Sequence, residues 1–372
     1  MRFFFIFLFA MGAVFSSALR SDEFDASQFK SWWLDFRDTE GIPEKLKEME
    51  DYFVSSGLLE ESSKFWLFLN RRNIEQITYQ GYENFKQTVA CNYFTWLVNR
   101  DHGYAKNLFR NGTQFLDTIA PAELTKKHAL FTEMQSLQYN QTTVMFYFYL
   151  IQNGAGPYLE KLEEPQFGNP PSITISGKSI SQDTLNSLLE YLSIATHCSM
   201  STVSCILEVG AGSGRTAWCF LKQCPNVKYI IVDYPPALYL SQTYLTSVFP
   251  DKKAFLFRPI ENAESVQEEL DAAELIFLTP DQMRLVPDKS VDLFMAIDCL
   301  HEMKKNEVEF YFHEANRLSS LFYYKCWMDT VVPLDEIPYP FSSYPVRFSW
   351  RKIFEGECII PSDFSHAFYQ VL

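Results

Sequence analysis

The chain has 372 residues, 47% of them apolar and 16% aromatic, with 32 Lys and Arg against 46 Asp and Glu for a net charge of −14. That composition supports one large or two ordinary domains and excludes a disordered tail, a collagen-like repeat and a small disulfide scaffold. The acidic balance argues against a nucleic-acid backbone as the main partner, because neutralising phosphates takes Lys and Arg.

Arg2 precedes an apolar run from Phe3 to Phe15, which exits through Ser16-Ser17-Ala18. A positive start, a short apolar stretch and a small-residue exit read as a secretory signal peptide over residues 1–18. The run is shorter than the roughly 20 residues that span a bilayer. An uncleaved signal anchor and a buried N-terminal helix are the alternatives, and no stable membrane span is expected once the leader is removed. The sequons Asn111-Gly112-Thr113 and Asn140-Gln141-Thr142 fit a lumenal glycoprotein. Cys91, Cys198, Cys205, Cys219, Cys224, Cys299, Cys326 and Cys358 are scattered and form no C-x-x-C pair, which speaks against a zinc ribbon or a thioredoxin-type site. Buried free thiols suit a reducing compartment better than an oxidising one. The leader nevertheless directs the expectation to the secretory pathway, or to the cytoplasm if it is not a working signal.

From Asp25 to about Leu162 apolar residues recur at three- and four-residue spacing, as in Ser63–Asn70 and Tyr82–Ala90, predicting an α-helical N-terminal domain over residues 25–162. Its aromatics Trp32, Trp33, Trp66, Tyr82, Phe85, Tyr93 and Trp96 read as core at that spacing, or as a stacking face for a sugar ring. Gly154, Gly156, Pro157, Pro165, Gly168, Pro170 and Pro171 then mark a boundary. Ser181-Gln182-Asp183 opens a helix running through Asn186 and Glu190 to about Ala195. Beyond Ser201 the apolar runs Cys205–Val209, Tyr229–Val232, Glu274–Leu278, Val291–Ile297 and Leu321–Tyr324 alternate with helical segments. That alternation predicts an α/β domain over residues 180–372, built on a parallel sheet.

The strongest chemical signal is Ile206-Leu207-Glu208-Val209-Gly210-Ala211-Gly212-Ser213-Gly214-Arg215-Thr216-Ala217. An apolar strand runs into alternate glycines and then a helix, the arrangement that lets a ligand lie against backbone. Glu208 ends that strand, where a carboxylate suits a cationic ligand and repels a pyrophosphate. Asp233 ends the next strand, Lys228–Asp233, and can accept hydrogen bonds from ribose hydroxyls. Farther on, Val291–Ile297 delivers Asp298-Cys299-Leu300-His301-Glu302-Met303 to the same end of the sheet.

Together these segments resemble the sugar O-methyltransferase family of S-adenosylmethionine-dependent, class I Rossmann-like methyltransferases. The resemblance runs from about Phe65 to Lys325. It takes in Phe65-Trp66, Gly81–Phe85, Gln182-Asp183 with Asn186-Ser187 and Glu190, the glycine loop, Tyr229–Asp233 with Pro235-Pro236, Leu300–Met303 and Tyr324-Lys325. His301 departs from the family pattern, in which an amide is more typical before the Glu-Met pair. The resemblance implies a Rossmann-like methyltransferase sheet with helices on both faces behind the helical domain, S-adenosyl-L-methionine as cofactor, and a sugar or glycan hydroxyl as acceptor. It implies that Glu208, Gly210, Gly212, Gly214, Asp233 and Asp298 hold the cofactor, with Asp281 or Gln282 on the adenine.

A sugar hydroxyl needs a positioned base, for which His301 and Glu302 are the candidates, each with a competing role in capping or packing the helix that follows. Asp298, His301 and Glu302 form a compact hard-ligand group, but their spacing is too local to complete an octahedral site, so no metal is expected. Lys325, beyond the fifth strand, reads as a solvated lysine or one that orients a substrate oxygen. The helical domain is expected to cover the cleft. A non-catalytic binding protein of the same fold, and a methyltransferase for another small-molecule acceptor, stand beside the principal reading. A nicotinamide oxidoreductase fits less well, given Glu208 and the missing G-x-x-G spacing.

Overall fold

Helix α1 (Ala26–Phe36) starts where Asp25 accepts the Gln28 amide, and α2 (Glu44–Ser55) follows. Ser63 caps α3 (Lys64–Gln80) by accepting the Trp66 amide at 3.1 Å, and Gly81 ends it. The structure, a computed structural model, describes residues 24–93, 108, 112–332, 334, 335 and 337–372. The leader, the sequon at Asn111, Trp96 and the side chain of Tyr93 lie outside these residues. Among the described residues no helix is long and apolar enough to cross a membrane.

Phe29, Trp33, Phe53, Leu67 and Ile74 close the core between α1, α2 and α3. A 3-10 segment (Tyr82–Gln87) leads to a short helix at Val89, and α4 (Glu133–Gln152) begins in a capping box of Thr132 and Gln135. Asn140 sits in mid-α4, fully buried, donating to the Leu124 and Lys126 carbonyls and meeting His128 at 2.7 Å. The folded chain therefore offers this sequon no room for a glycan.

A hairpin of β1 (Ile173–Ile175) and β2 (Lys178–Ile180) interrupts the predicted boundary. Its two-residue turn places Ser176 and Gly177 at positive φ, the geometry that matches the twist of paired strands. Beside it the buried Lys86 ammonium pairs with Glu164, which also accepts from Ser181 and, at 2.7 Å, from Thr184. This ion pair pins the 3-10 segment to the N-terminus of α5 (Gln182–Ala195), whose cap is Ser181, as predicted.

The main sheet contains β3 (Cys205–Val209), β4 (Lys228–Val232), β5 (Ala254–Phe255), β6 (Leu275–Leu278), β7 (Val291–Ile297), β8 (Ser319–Trp327), β11 (Arg351–Glu357) and β12 (Phe364–Gln370). A separate ribbon pairs β9 (Asp329–Val332) with β10 (Ile337–Pro340). The order in the main sheet is β11-β12-β8-β7-β3-β4-β6-β5. From β8 to β5 every pairing is parallel, but β12 runs antiparallel to both β8 and β11, so the sheet is mixed and not wholly parallel.

Helices α5, α6 (Arg215–Gln223) and α7 (Ala237–Val248) pack on one face through Leu185, Phe220 and Tyr244. Helix α8 (Lys305–Leu318) packs on the other through Val308 and Phe312. The result is a Rossmann-like α/β sheet with helices on both faces, preceded by α-helices. From β3 the chain winds outward to β4, then crosses back to β7 on the other side of β3. The carboxyl ends of β3 and β7 therefore flank a topological switch point, where open α/β sheets form their crevice.

Candidate active site

The glycine loop bridges β3 and α6 at that switch point. Gly210 donates its amide to the Val232 carbonyl at 2.9 Å and takes a φ of +69°. A Cβ on Gly210 would stand 2.5 Å from the Cβ of Cys299, so the loop closes against β7 only with glycine there. Gly210→Ala is expected to destabilise the protein by about 2–4 kcal/mol, summing left-handed strain and overpacking. Gly177→Ala supplies the control in urea unfolding, since a Cβ there, also at positive φ, meets nothing within 4 Å. Equal losses in the two variants would exclude the contact with Cys299 as the cause.

The crevice opens between the carboxyl ends of β3, β4 and β7 and the first turns of α3, α5 and α6. Glu208, Asp233, Asp298, Glu302 and Glu307 line it, together with Asp183 from the first turn of α5. Glu208 is buried and accepts the Tyr229 hydroxyl at 2.7 Å, and burial pushes its carboxyl up to about 8. Asp233 is buried and pushed up to about 7, although the Gly212 and Tyr234 amides donate to its two oxygens at 2.9 and 2.8 Å. The loop that bears Gly212 is thus tied to the strand end that bears Asp233. Both carboxylates predicted to hold a ligand face one space.

Behind them lies a buried ion network. Glu190 of α5 accepts both Arg215 nitrogens at 2.7 and 3.1 Å, Lys325 at 3.0 Å, Asn186 at 2.9 Å and Thr216 at 3.1 Å. Burial alone would raise Glu190, but Arg215 and Lys325 outweigh it and hold the carboxyl at about 2. Asp298 Oδ2 lies 3.2 Å from Lys325 and 3.6 Å from Arg215, while its Oδ1 is buried without a hydrogen-bond partner among the described residues. Asp298 also holds a φ of +58°, uncommon outside glycine, and lines the crevice wall. Lys325 is a member of β8, deeply buried, and not a solvated lysine.

His301 and Glu302 diverge. His301 is buried away from the crevice lining, stacked on Trp327 at 5.4 Å and edge-on to Phe364. Burial, with Lys325 nearby, drives its imidazole down to about 3. Glu302 lines the crevice, where burial and then Asp298 and Asp233 push it up to about 8.

Asp281 and Gln282 do not line the crevice. Asp281 accepts from Tyr52 and Thr279, whereas Gln282 is buried, with Nε2 on the Arg258 carbonyl at 2.9 Å and Oε1 on the Thr279 amide. Among the aromatics, Trp33 and Phe85 are core, and Trp66 with Ser63 brings α3 to the crevice wall. Sequence reasoning assigned no site role to Asp183, Arg215 or Glu307. A signal for Asp183 existed: Asp183, Asn186, Ser187 and Glu190 form a polar stripe at helical spacing just before the glycine strand.

No protein-family model matches the sequence, and no curated protein matches it. Solved structures with a related backbone include a protein of Pyrococcus horikoshii OT3, at 14% identity over 50% of this chain and 91% of that one, with a TM-score of 0.36. The mitomycin 7-O-methyltransferase aligns at 12% identity over 62% of this chain and 63% of that one, with a TM-score of 0.36. The glycopeptide N-methyltransferase complexed with S-adenosyl-L-methionine aligns at 12% identity over 49% and 93%, with a TM-score of 0.34. Likeness at that level carries nothing about the chemistry of this chain.

Proposed function

We propose that the protein is an S-adenosyl-L-methionine-dependent methyltransferase whose acceptor is a hydroxyl of a sugar or glycan. The observation that carries the reading is the pairing of Glu208 and Asp233 across the glycine loop at the switch point, in a crevice whose lining holds six carboxylates and a single cationic side chain, Arg215. Such a lining offers a phosphate little counter-charge and suits a cationic nucleoside, whose charge favours the ionised form of the raised carboxyls. The unpartnered Oδ1 of Asp298 fits the same ligand, since a buried acceptor without a donor costs about 1–3 kcal/mol until something donates to it.

The bound cofactor supplies an electrophilic methyl group on a sulfonium. Glu208 and Asp298 would hold its charged end, Asp233 its ribose hydroxyls, and the Gly210–Gly214 backbone would let it lie close. Trp66 offers a flat apolar face at the same wall, the kind of surface on which a sugar ring stacks, and Glu302 is the proton acceptor for the attacking hydroxyl. The sugar acceptor rests on the sequence resemblance together with that pairing of an aromatic face and a carboxylate.

Titration calorimetry with S-adenosylhomocysteine tests the cofactor. Binding competes with protons on Glu208 and Asp233, both raised by burial, so affinity is expected to climb between pH 6 and pH 8, by up to about tenfold per pH unit for each proton released. Absence of binding at millimolar ligand would overturn the reading. Labelled S-adenosylmethionine with a panel of glycans, read by mass spectrometry, tests the acceptor. Label on amines alone would replace the hydroxyl.

A further inference from the structure

We infer that Asp183 is the specificity carboxylate that receives the primary ammonium of the ligand's amino-acid tail, beside a charge network that the chain itself leaves short of cations. The inference rests on the reading of the crevice as a cofactor site. It follows from a count of charges along one connected wall. Lys86 pairs with Glu164, Arg215 pairs with Glu190 and Asp298, and Lys325 pairs with Glu190 and Asp298. Asp183 stands between the two groups, within electrostatic reach of Lys86 and Glu164 on one side and of Arg215 and Glu190 on the other. Along this wall the carboxylates therefore outnumber the three cations, the more so because Glu208 also lies within reach of Arg215.

The cations are committed elsewhere. Each makes a contact of 3.0 Å or less with another carboxylate, whereas the carboxylate of Asp183 has no ion pair within 4 Å and no hydrogen bond among the described residues. Asp298 differs: Lys325 and Arg215 already meet its charge through Oδ2, which leaves only Oδ1 to accept a further hydrogen bond. Asp183 is half-buried at the crevice lining, where a charged donor delivered by a ligand can reach it and supply the ion pair the chain does not. A metal ion is a poor candidate for the missing charge, because among the described residues no group of three or more His, Cys, Asp or Glu side chains could hold one. A primary ammonium fits, since it needs only one or two carboxylate oxygens and brings three donors.

Asp183 owes its position to neighbours the ligand does not touch. Ser181 caps α5, and Glu164 holds both Ser181 and Thr184, so the Lys86–Glu164 pair sets the angle at which the first turn of α5 meets the crevice. Burial pushes Asp183 up to about 6, with Lys86 and Arg215 pulling the other way, which leaves it ionised at neutral pH. The other titratable groups facing it are Glu164, Glu190, Tyr139, Tyr244 and Cys91.

The test compares ligands that differ only at the tail. S-adenosylhomocysteine carries the ammonium, its deaminated analogue lacks it, and 5′-methylthioadenosine lacks the whole amino-acid end. On the wild-type protein the deaminated analogue is expected to bind roughly 10- to 100-fold more weakly than S-adenosylhomocysteine, the range of a charge-assisted hydrogen bond. In Asp183→Asn that preference should collapse to within about threefold, while 5′-methylthioadenosine binds as before and shows the crevice to be intact. An unchanged preference in Asp183→Asn, or wild-type indifference to the ammonium, overturns the inference; the second result holds even if the variant fails to fold. A loss in Asp183→Asn seen with S-adenosylmethionine but not S-adenosylhomocysteine also overturns it, by assigning the carboxylate to the sulfonium. If none of these nucleosides binds the wild type, the failure belongs to the cofactor reading itself.

Discussion

Glu190→Gln is expected to destabilise the protein by about 3–5 kcal/mol, the loss seen when one member of a buried ion pair is removed and its partners stay behind. The amide keeps the shape of the side chain but leaves Arg215 and Lys325 sharing Asp298 as their nearest counter-charge, deep between α5, α6 and β8. The sign of the pH dependence separates charge from shape. Glu190 is held at about 2, below an ordinary glutamate, so its contribution is fully present above about pH 4.5 and disappears as pH falls through 2. Urea unfolding should show the full deficit at pH 7 and a much smaller one at pH 3. A second substitution, Lys325→Met, removes one stranded cation and should restore part of the loss in Glu190→Gln. A deficit that is the same at both pH values, and additive with Lys325→Met, would mean that packing and not charge holds α5 to the sheet.

The segments legible in the sequence were those whose local pattern and tertiary environment agree. Cys205–Val209 and Val291–Ile297 are apolar runs that become strands with those bounds, because neighbours cover both faces of the sheet. The turn from Val209 into the Gly210–Gly214 loop was readable for the same reason: only glycine tolerates Cys299 so close. The hairpin at Ile173–Ile180 carried a signal, alternation around Ser176-Gly177, that the surrounding prolines and glycines masked. Strands β11 and β12 show no clean alternation, and nothing local says that the last strand inserts antiparallel between β11 and β8. Site residues contributed by distant helices were least legible. Trp66 at the crevice wall looks like any core aromatic, and Asp183 becomes a site carboxylate only because Lys86 and Glu164 turn α5 toward the loop. Asp281 and Gln282 failed in the opposite way. Their polarity suggested a ligand, but it is consumed by Tyr52, Thr279 and the Arg258 carbonyl.

Glu302→Gln is expected to lower turnover by about 10²- to 10⁴-fold, the range for loss of a general base, while S-adenosylhomocysteine affinity changes by no more than about threefold. Of the adjacent residues His301 and Glu302 only one reaches the crevice. His301 has the better ordinary pKa for the task, but its ring is packed between Trp327 and Phe364 and pushed down to about 3, where a proton would hardly stay. Glu302 faces the crevice, and Asp298 and Asp233 reinforce burial in lifting it to about 8, which makes it a far stronger base than an exposed carboxylate. The sign follows: the competent form is the deprotonated one, so turnover should rise with pH through a limb near 8. That limb should vanish in Glu302→Gln. His301→Phe conserves the stacking and should keep both the limb and most of the rate, because a ring between two aromatics contributes packing alone. Were His301→Phe to lose the limb while Glu302→Gln kept it, the proton would have to travel through the buried imidazole, and the crevice-facing carboxylate would be left with electrostatics only.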